Sequence, residues 1–392
     1  MPHESQVVRT VNSYYHKECY EFRIDPTTIM KNPDPLPSEK EEDDEEELTT
    51  KSGKPLRKSI FDFMSRGGKN KGPKSNHEPI SPGLEDVEKI NSVDWPNTNV
   101  IDSTFENLDK NIDDFHDLKN FEVVKDMMDL PLSYPGAFAR VYKVKQDNKF
   151  FALRFFTKKK DDAMNRYRIL HEFYELNKQN NQLPFLTDFQ YLSNSIKIKV
   201  KDELIRFPIV KMDWVDGQTL EIFFQSKPSK NKIKSVRKNF LDLISTMESL
   251  NIAHGDLHPK NIIIDNQKNL KLVDYDCMFI EKFKNSNMPE LGDPDCQHPN
   301  RENFAYDEKI DRFSSIVLYL TMLILEEKPD VINIRNGEFI FSSNDYSNST
   351  DSKIFQICKE LTPEIQNLSD TLIQICKSRK PKIPALGELV KQ

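Results

Sequence analysis

The stretch His254-Gly255-Asp256-Leu257-His258-Pro259-Lys260-Asn261, followed by Asp274-Tyr275-Asp276, constrains this chain more than any other feature. Phosphoryl transfer from ATP needs a carboxylate near the acceptor hydroxyl and oxygen ligands for Mg²⁺ bridging the phosphates. Asp256 and Asn261 on one tight loop can supply the first and part of the second, and Asp274 at the end of a nearby strand completes the metal site. The flanking pattern fits. Ile233, Val236, Phe240, Leu243, Ile244, Met247 and Leu250 recur at helical spacing before the loop. Two short β-rich runs, NIIID and NLKLVDY, follow it, so the loop joins a long helix to a strand pair.

Composition excludes several other classes. The chain has 56 Lys+Arg and 63 Asp+Glu in 392 residues, a formal net charge of −7. Met1–Asn120 holds 25 acidic against 16 basic residues, net −9, which leaves the remainder near neutral at +2. Without a strongly basic domain, no nucleic-acid partner is expected. The longest apolar run, Ile316 to Leu325, is about half the length a bilayer needs, so no membrane span is expected. The polar start MPHESQVVRT lacks a secretory apolar core. Cys19, Cys277, Cys296, Cys358 and Cys376 form no CxxC pair, and a reducing, cytoplasmic setting is the default.

Residues 1–80 read as a disordered tail, with an acidic tract, EKEEDDEEEL, and a basic one, Lys51–Lys74. Leu56, Ile60, Phe61, Phe63 and Met64 inside the basic tract suit either a docking peptide for a partner or a plain solvated linker. Residues 81–119 are weakly patterned, a linker or an extension of the first lobe. Order is expected from about Asn120. A hairpin is expected around Gln146-Asp147-Asn148, a helix over Asp161–Asn177, and further strands at IKIKV and FPIVKMDW. From Asp311 the chain reads helical almost to its end. Strands with one helix, then mostly helix, imply an α+β fold of two lobes, 120–211 and 217–392.

HGDLHPKN with the spaced DYD resembles the protein-kinase-like superfamily, at its catalytic loop and its metal-binding aspartate. Other segments fit the same register. YPGAFARVYKV resembles the nucleotide loop, with Gly136 alone of three glycines retained and Val141 over the adenine. FALRFF puts Arg154 where the family has lysine, and Glu172 on the following helix stands as its ion-pair partner, with Leu176 one turn later and Glu175 the rival. PIVKMDWVDG resembles the hinge, with Met212 as gatekeeper and Asp213 to Val215 offering backbone to adenine. DRFSSIVLYL resembles the helix whose aspartate, here Asp311, hydrogen-bonds the catalytic-loop backbone. CQHPN and SRKPKIPALGEL take the positions of a buried Glu–Arg bridge, but both partners are replaced, by Asn300 and Ile383. Several of these segments also resemble protein-kinase-domain proteins that are mostly bacterial.

The resemblance implies a two-lobed kinase fold that uses ATP and Mg²⁺. Asp256 would orient or accept the hydroxyl proton, Asn261 and Asp274 would hold the metal, and His258 would steady the γ-phosphate. A Ser/Thr-type protein kinase is the leading expectation. The alternatives are a small-molecule kinase, faintly echoed by Gly292-Asp293-Pro294, and a pseudokinase scaffold, suggested by Arg154 and the lost glycines. A metal site at Cys277, Cys296 and His298 ranks last, because its ligand spacing is irregular.

Overall fold

The structure, a computed structural model, describes residues 95–107, 121–136, 138–158, 161–178 and 182–390. The expectations for the tail at 1–80 and its docking peptide lie outside these residues. A helix, α1 (Thr98–Glu106), comes first, ahead of the point near Asn120 where strand patterning begins. Order therefore starts earlier than the strand pattern indicates.

The first lobe is built on an antiparallel sheet of β1 (Glu122–Val123), β2 (Ser133–Pro135), β3 (Ala139–Gln146), β4 (Lys149–Phe156), β5 (Phe189–Val200) and β6 (Glu203–Asp213). The strand order is β1-β3-β4-β6-β5, with β2 also paired to β3. Asp147 and Asn148 turn β3 into β4 with φ of 48° and 66°. Two positive φ values make the turn whose twist matches that of the strands, and Asp and Asn tolerate them. Between β4 and β5 lies α2 (Asp161–Asn177), with the bounds read from the sequence.

Alternation along β4 sorts its side chains onto two faces. Phe151, Leu153 and Phe155 join Tyr142, Val144, Phe207 and Ile209 in a core that also buries Ile101 and Phe105 of α1. The Phe105 ring stacks on Tyr142 at 3.7 Å between centroids. Arg154 and Phe156 point the other way, toward α2. Register then sets Val141 and Val210 beside Arg154, and Met212 beside Ala152. That face looks into the cleft.

Residues 214–216 lead to the second lobe. There β7 (Gly217–Thr219), β8 (Ile262–Asp265) and β9 (Leu270–Leu272) form a small sheet in that order. After β7 come α3 (Leu220–Gln225) and α4 (Lys230–Ser249), the latter burying the expected stripe from Ile233 to Met247. Helix α5 (Arg312–Glu327) is buried from Phe313 to Glu326, the pattern of a helix at the centre of a lobe. The remainder is less continuously helical than its pattern suggests. A 3₁₀ turn at Pro329–Arg335 separates α5 from four shorter helices, α6 (Ser343–Ser347), α7 (Lys353–Cys358), α8 (Pro363–Cys376) and α9 (Leu386–Leu389). Among the described residues no helix is long and apolar enough to cross a membrane.

Candidate active site

The loop after α4 is held from below by a buried carboxylate. Asp311 accepts the backbone N–H of Gly255 at 2.9 Å and that of His254, as the resemblance implies. Gly255 has φ of 80°, and a Cβ there would lie 2.0 Å from the Cys277 carbonyl, so only glycine fits. Arg301, also buried, donates to the Gly255 carbonyl, to Gln297 and to the Ile310 carbonyl at 2.7 Å.

This loop brings Asp256, His258 and Asn261 together. Asn261 Nδ2 donates to the Asp256 carbonyl at 3.0 Å and approaches its carboxylate at 3.4 Å. His258 Nε2 lies 3.4 Å from Asp256 Oδ2, and its Nδ1 accepts from the Lys260 N–H. From above, Asp293 N–H donates to Asp256 Oδ1 at 2.8 Å. Gly292, with φ of 77°, lets that segment approach, since a Cβ would stand 2.6 Å from the same oxygen. Burial opposes charge on Asp256, but the His258 contact and the Asp293 N–H outweigh it and hold the carboxyl well below the usual range. Burial likewise opposes charge on His258, yet hydrogen bonding to Asp256 and the charges of Asp256 and Asp293 raise its pKa. Asp256 is therefore held as carboxylate, while His258, whose Nδ1 accepts the Lys260 N–H only as neutral imidazole, would give up that bond on protonation.

Asp274 follows β9 in the left-handed region at φ 65°. Its Oδ1 accepts from Arg154 Nη1 at 3.0 Å, while Arg154 Nη2 reaches Asp276 Oδ2 at 2.5 Å. Side-chain exposures are 10% for Arg154, 46% for Asp274 and 15% for Asp276. Burial pushes the Asp276 carboxyl up to about 6, opposed by Arg154 and reinforced by the charge of Asp274.

The expected Arg154–Glu172 ion pair does not form. Glu172 instead pairs with Arg168 at 2.6 Å and Lys282 at 3.3 Å, with 45% of its side chain exposed. Helix phase explains this. Glu172 shares the outward stripe with Arg168, one turn earlier, whereas Tyr167 is the residue of α2 that lies under Arg154, 5.6 Å from ring centre to guanidinium carbon. The rival Glu175 pairs with Lys178, and Leu176 is 77% exposed rather than packed. Two contacts were not expected from the sequence, Asp276 on Arg154 and Arg166 of α2 on the backbone beyond it. The extra carboxylate in Asp274-Tyr275-Asp276 was the available signal for the first.

The other residues singled out in the sequence lie as follows. Val141 and Met212 line the cleft face of the sheet, next to Arg154 and Ala152 in register. Gly136 closes the β2–β3 turn by donating to the Ala139 carbonyl at 2.8 Å. Asp213 ends β6, where Lys149 pairs with it at 2.8 Å, and Val215 lies in the connection between lobes. Ile383 is buried, and the Asn300 N–H donates to His298 Nδ1, so neither replaced position strands a charge. Among the described residues no group of three or more His, Cys, Asp or Glu side chains is placed to hold a metal ion, which removes the Cys277, Cys296 and His298 cluster. Asn261 and Asp274 suit a hard cation whose remaining ligands are phosphate oxygens, because such a site needs only one or two carboxylates from the protein.

A strand-built lobe joined to a helical one, with a carboxylate loop braced from within, is the architecture of a protein-kinase-type domain. Residues 135–385 match the protein kinase domain family, and the chain belongs to that family. It is also similar to the interferon-induced, double-stranded RNA-activated protein kinase of Rattus norvegicus, at 23% identity over 264 residues. That similarity covers 63% of this chain and 51% of the rat protein, so the chain spans about half the length of the curated relative it matches.

Proposed function

We propose that the protein is an ATP- and Mg²⁺-dependent protein kinase acting on serine or threonine hydroxyls. The observation that carries the reading is Asp256, ionised and fixed by Asn261, His258 and the Asp293 N–H, on a loop braced by Asp311. A carboxylate held so far toward its charged form is a weak base. Its part is to accept a hydrogen bond from the acceptor hydroxyl and aim the oxygen, taking the proton late in transfer. Asn261 and Asp274 would hold Mg²⁺, which when bound supplies charge neutralisation at the phosphate oxygens. His258 would face the transferred phosphoryl group, and Arg154 the inner phosphates. Gly136, Val141, Met212, Asp213 and Val215 would enclose the nucleotide, the last two through backbone groups. The same reading takes 120–392 as the kinase domain and the segment carrying α1 as an extension of its first lobe.

A second reading, a pseudokinase scaffold that binds nucleotide without transfer, draws on Arg154 already holding Asp274. One experiment separates the two. Purified protein is given labelled ATP with Mg²⁺ or Mn²⁺, beside Asp256→Asn and Asp274→Ala, and transfer is scored to itself, to generic protein and to pooled metabolites. The expected result is transfer to protein that falls at least about a thousandfold in both variants. Binding without transfer supports the scaffold, and transfer to metabolites alone supports a small-molecule kinase.

A further inference from the structure

Two arginines from different elements converge on the segment Asp274 to Met278. Arg154, on β4, splits its fork between two carboxylates, Asp274 at 3.0 Å and Asp276 at 2.5 Å. Arg166, on α2, donates its Nε to the Asp276 carbonyl at 2.9 Å and an Nη to the Met278 carbonyl at 2.7 Å. Its guanidinium also lies 4.0 Å over the Phe283 ring and donates to the Tyr306 hydroxyl. Helix α2 thus sends a cation, not a carboxylate, toward this segment, and Glu172 spends its charge on Arg168 and Lys282.

We propose that Asp276 is the positioning residue for Arg154, replacing any carboxylate of α2 as the counter-ion that aims the guanidinium into the cleft. The inference rests on the reading of the site as one for Mg²⁺·ATP. Its logic is one of charge. The Arg154 side chain is 10% exposed, and a guanidinium buried to that degree is costly without a partner. Asp274, at 46% exposure, is the carboxylate free to turn toward a metal. Once it does, Asp276 is the acceptor that keeps Arg154 neutralised and in place. Arg and an additional Asp therefore work as a unit: the fork needs two acceptors, and one of them is shared with the metal. Arg166 contributes separately, by fixing the backbone that carries Asp276.

The test is a binding titration on the full chain, with Mg²⁺·ADP as the probe, and thermal unfolding of the nucleotide-free protein. Asp276→Asn is expected to weaken Mg²⁺·ADP by about ten- to a hundredfold, and Asp276→Glu to recover part of that loss. Glu172→Gln should leave the affinity within about twofold. In an Arg154→Met background, adding Asp276→Asn should change affinity by under about twofold, and the melting shifts of the two changes should be non-additive in nucleotide-free protein. A loss from Asp276→Asn that persists undiminished in that background makes Asp276 a ligand in its own right and overturns the proposal. So does a loss from Glu172→Gln equal to that from Asp276→Asn. Should Asp276→Asn fail to fold, a charge-retaining swap decides. Arg154→Lys alone should lose affinity, and Arg154→Lys with Asp276→Glu should regain it; absence of rescue overturns the proposal. A wild type that binds no Mg²⁺·ADP is a different outcome, because it removes the ATP reading itself and the proposal with it.

Discussion

Burial and the Lys260 charge oppose protonation of His258, but the hydrogen bond to Asp256 and the charges of Asp256 and Asp293 prevail, and its pKa is raised in the fold. A group raised on folding contributes stability that is complete below its unfolded pKa, about 6.5, and is lost as pH climbs through the folded value. Melting temperature measured against pH, for wild type and His258→Asn, should therefore differ most under mildly acidic conditions and converge as pH rises above neutrality. A gap that widens with pH would show the imidazole to be neutral in the fold. At this scale the sequence was informative where a motif fixes geometry. The spacing of Asp256 and Asn261 follows from the loop they share, and the bracing role of Asp311 from the resemblance carried by DRFSSIVLYL. It was uninformative about Glu172, because the turn of a helix decides which of several carboxylates faces inward. Asp276 stands on the segment after β9 rather than on the helix, and the extra carboxylate of Asp274-Tyr275-Asp276 signalled it without naming Arg154 as its partner.

Among the elements, α1 has the most to lose. Nine residues are too few for an isolated helix to persist in water, so its stability must come from packing. Asn97 caps it, Ile101 and Phe105 are fully buried, and Asp102 pairs with Arg140 at 3.0 Å and accepts the Tyr142 hydroxyl. Trp95 donates from its indole to the Phe156 carbonyl and packs on Phe207. Phe105→Ala should cost about 3–5 kcal/mol, the usual range for emptying an aromatic from a core, seen as a lowered melting temperature. Trimming the chain to start at Phe121 should do at least as much. A truncated domain as stable as the parent would mean the helix only rests on the sheet. The other elements were largely legible. Runs of β-favouring residues indicated β4 and β6, the stripe from Ile233 indicated α4, and the Gln146-Asp147-Asn148 turn indicated the hairpin. Helix α1 escaped because TNVIDSTFE offers only a few apolar positions and no second turn of repeat; the partner surface that selects helix there lies on strands β3 and β5.

Over the whole molecule, the lobes are joined by more than the covalent connection at 214–216. Leu272 N–H donates to the Phe185 carbonyl at 2.8 Å, Lys271 reaches the Pro184 carbonyl at 2.6 Å, and the Tyr275 hydroxyl accepts the Thr187 N–H at 3.1 Å. Arg166 is the strongest of these ties, because it is buried and its partners are two main-chain carbonyls and a hydroxyl. Arg166→Met should destabilise the protein by about 3 kcal/mol or more. Amide hydrogen exchange across α2 and residues 274–278 should accelerate more than in Asp276→Asn. Equal protection in the two variants would place the tie elsewhere.

The Arg166 contact also bears on how this protein can be switched. Swinging α2 away from the 274–278 segment would break three hydrogen bonds of one buried cation, roughly 5–9 kcal/mol at the usual worth of charge-assisted bonds. A typical effector couples distant sites with only about 1–3 kcal/mol, so the displaced helix would stay a minor state, at most about one molecule in thirty, even with such an effector bound. Because the acceptors are mostly main-chain oxygens, side-chain replacement at Asp276 or Met278 does not loosen the grip. Moving α2 away from this segment is therefore a costly way to switch the protein.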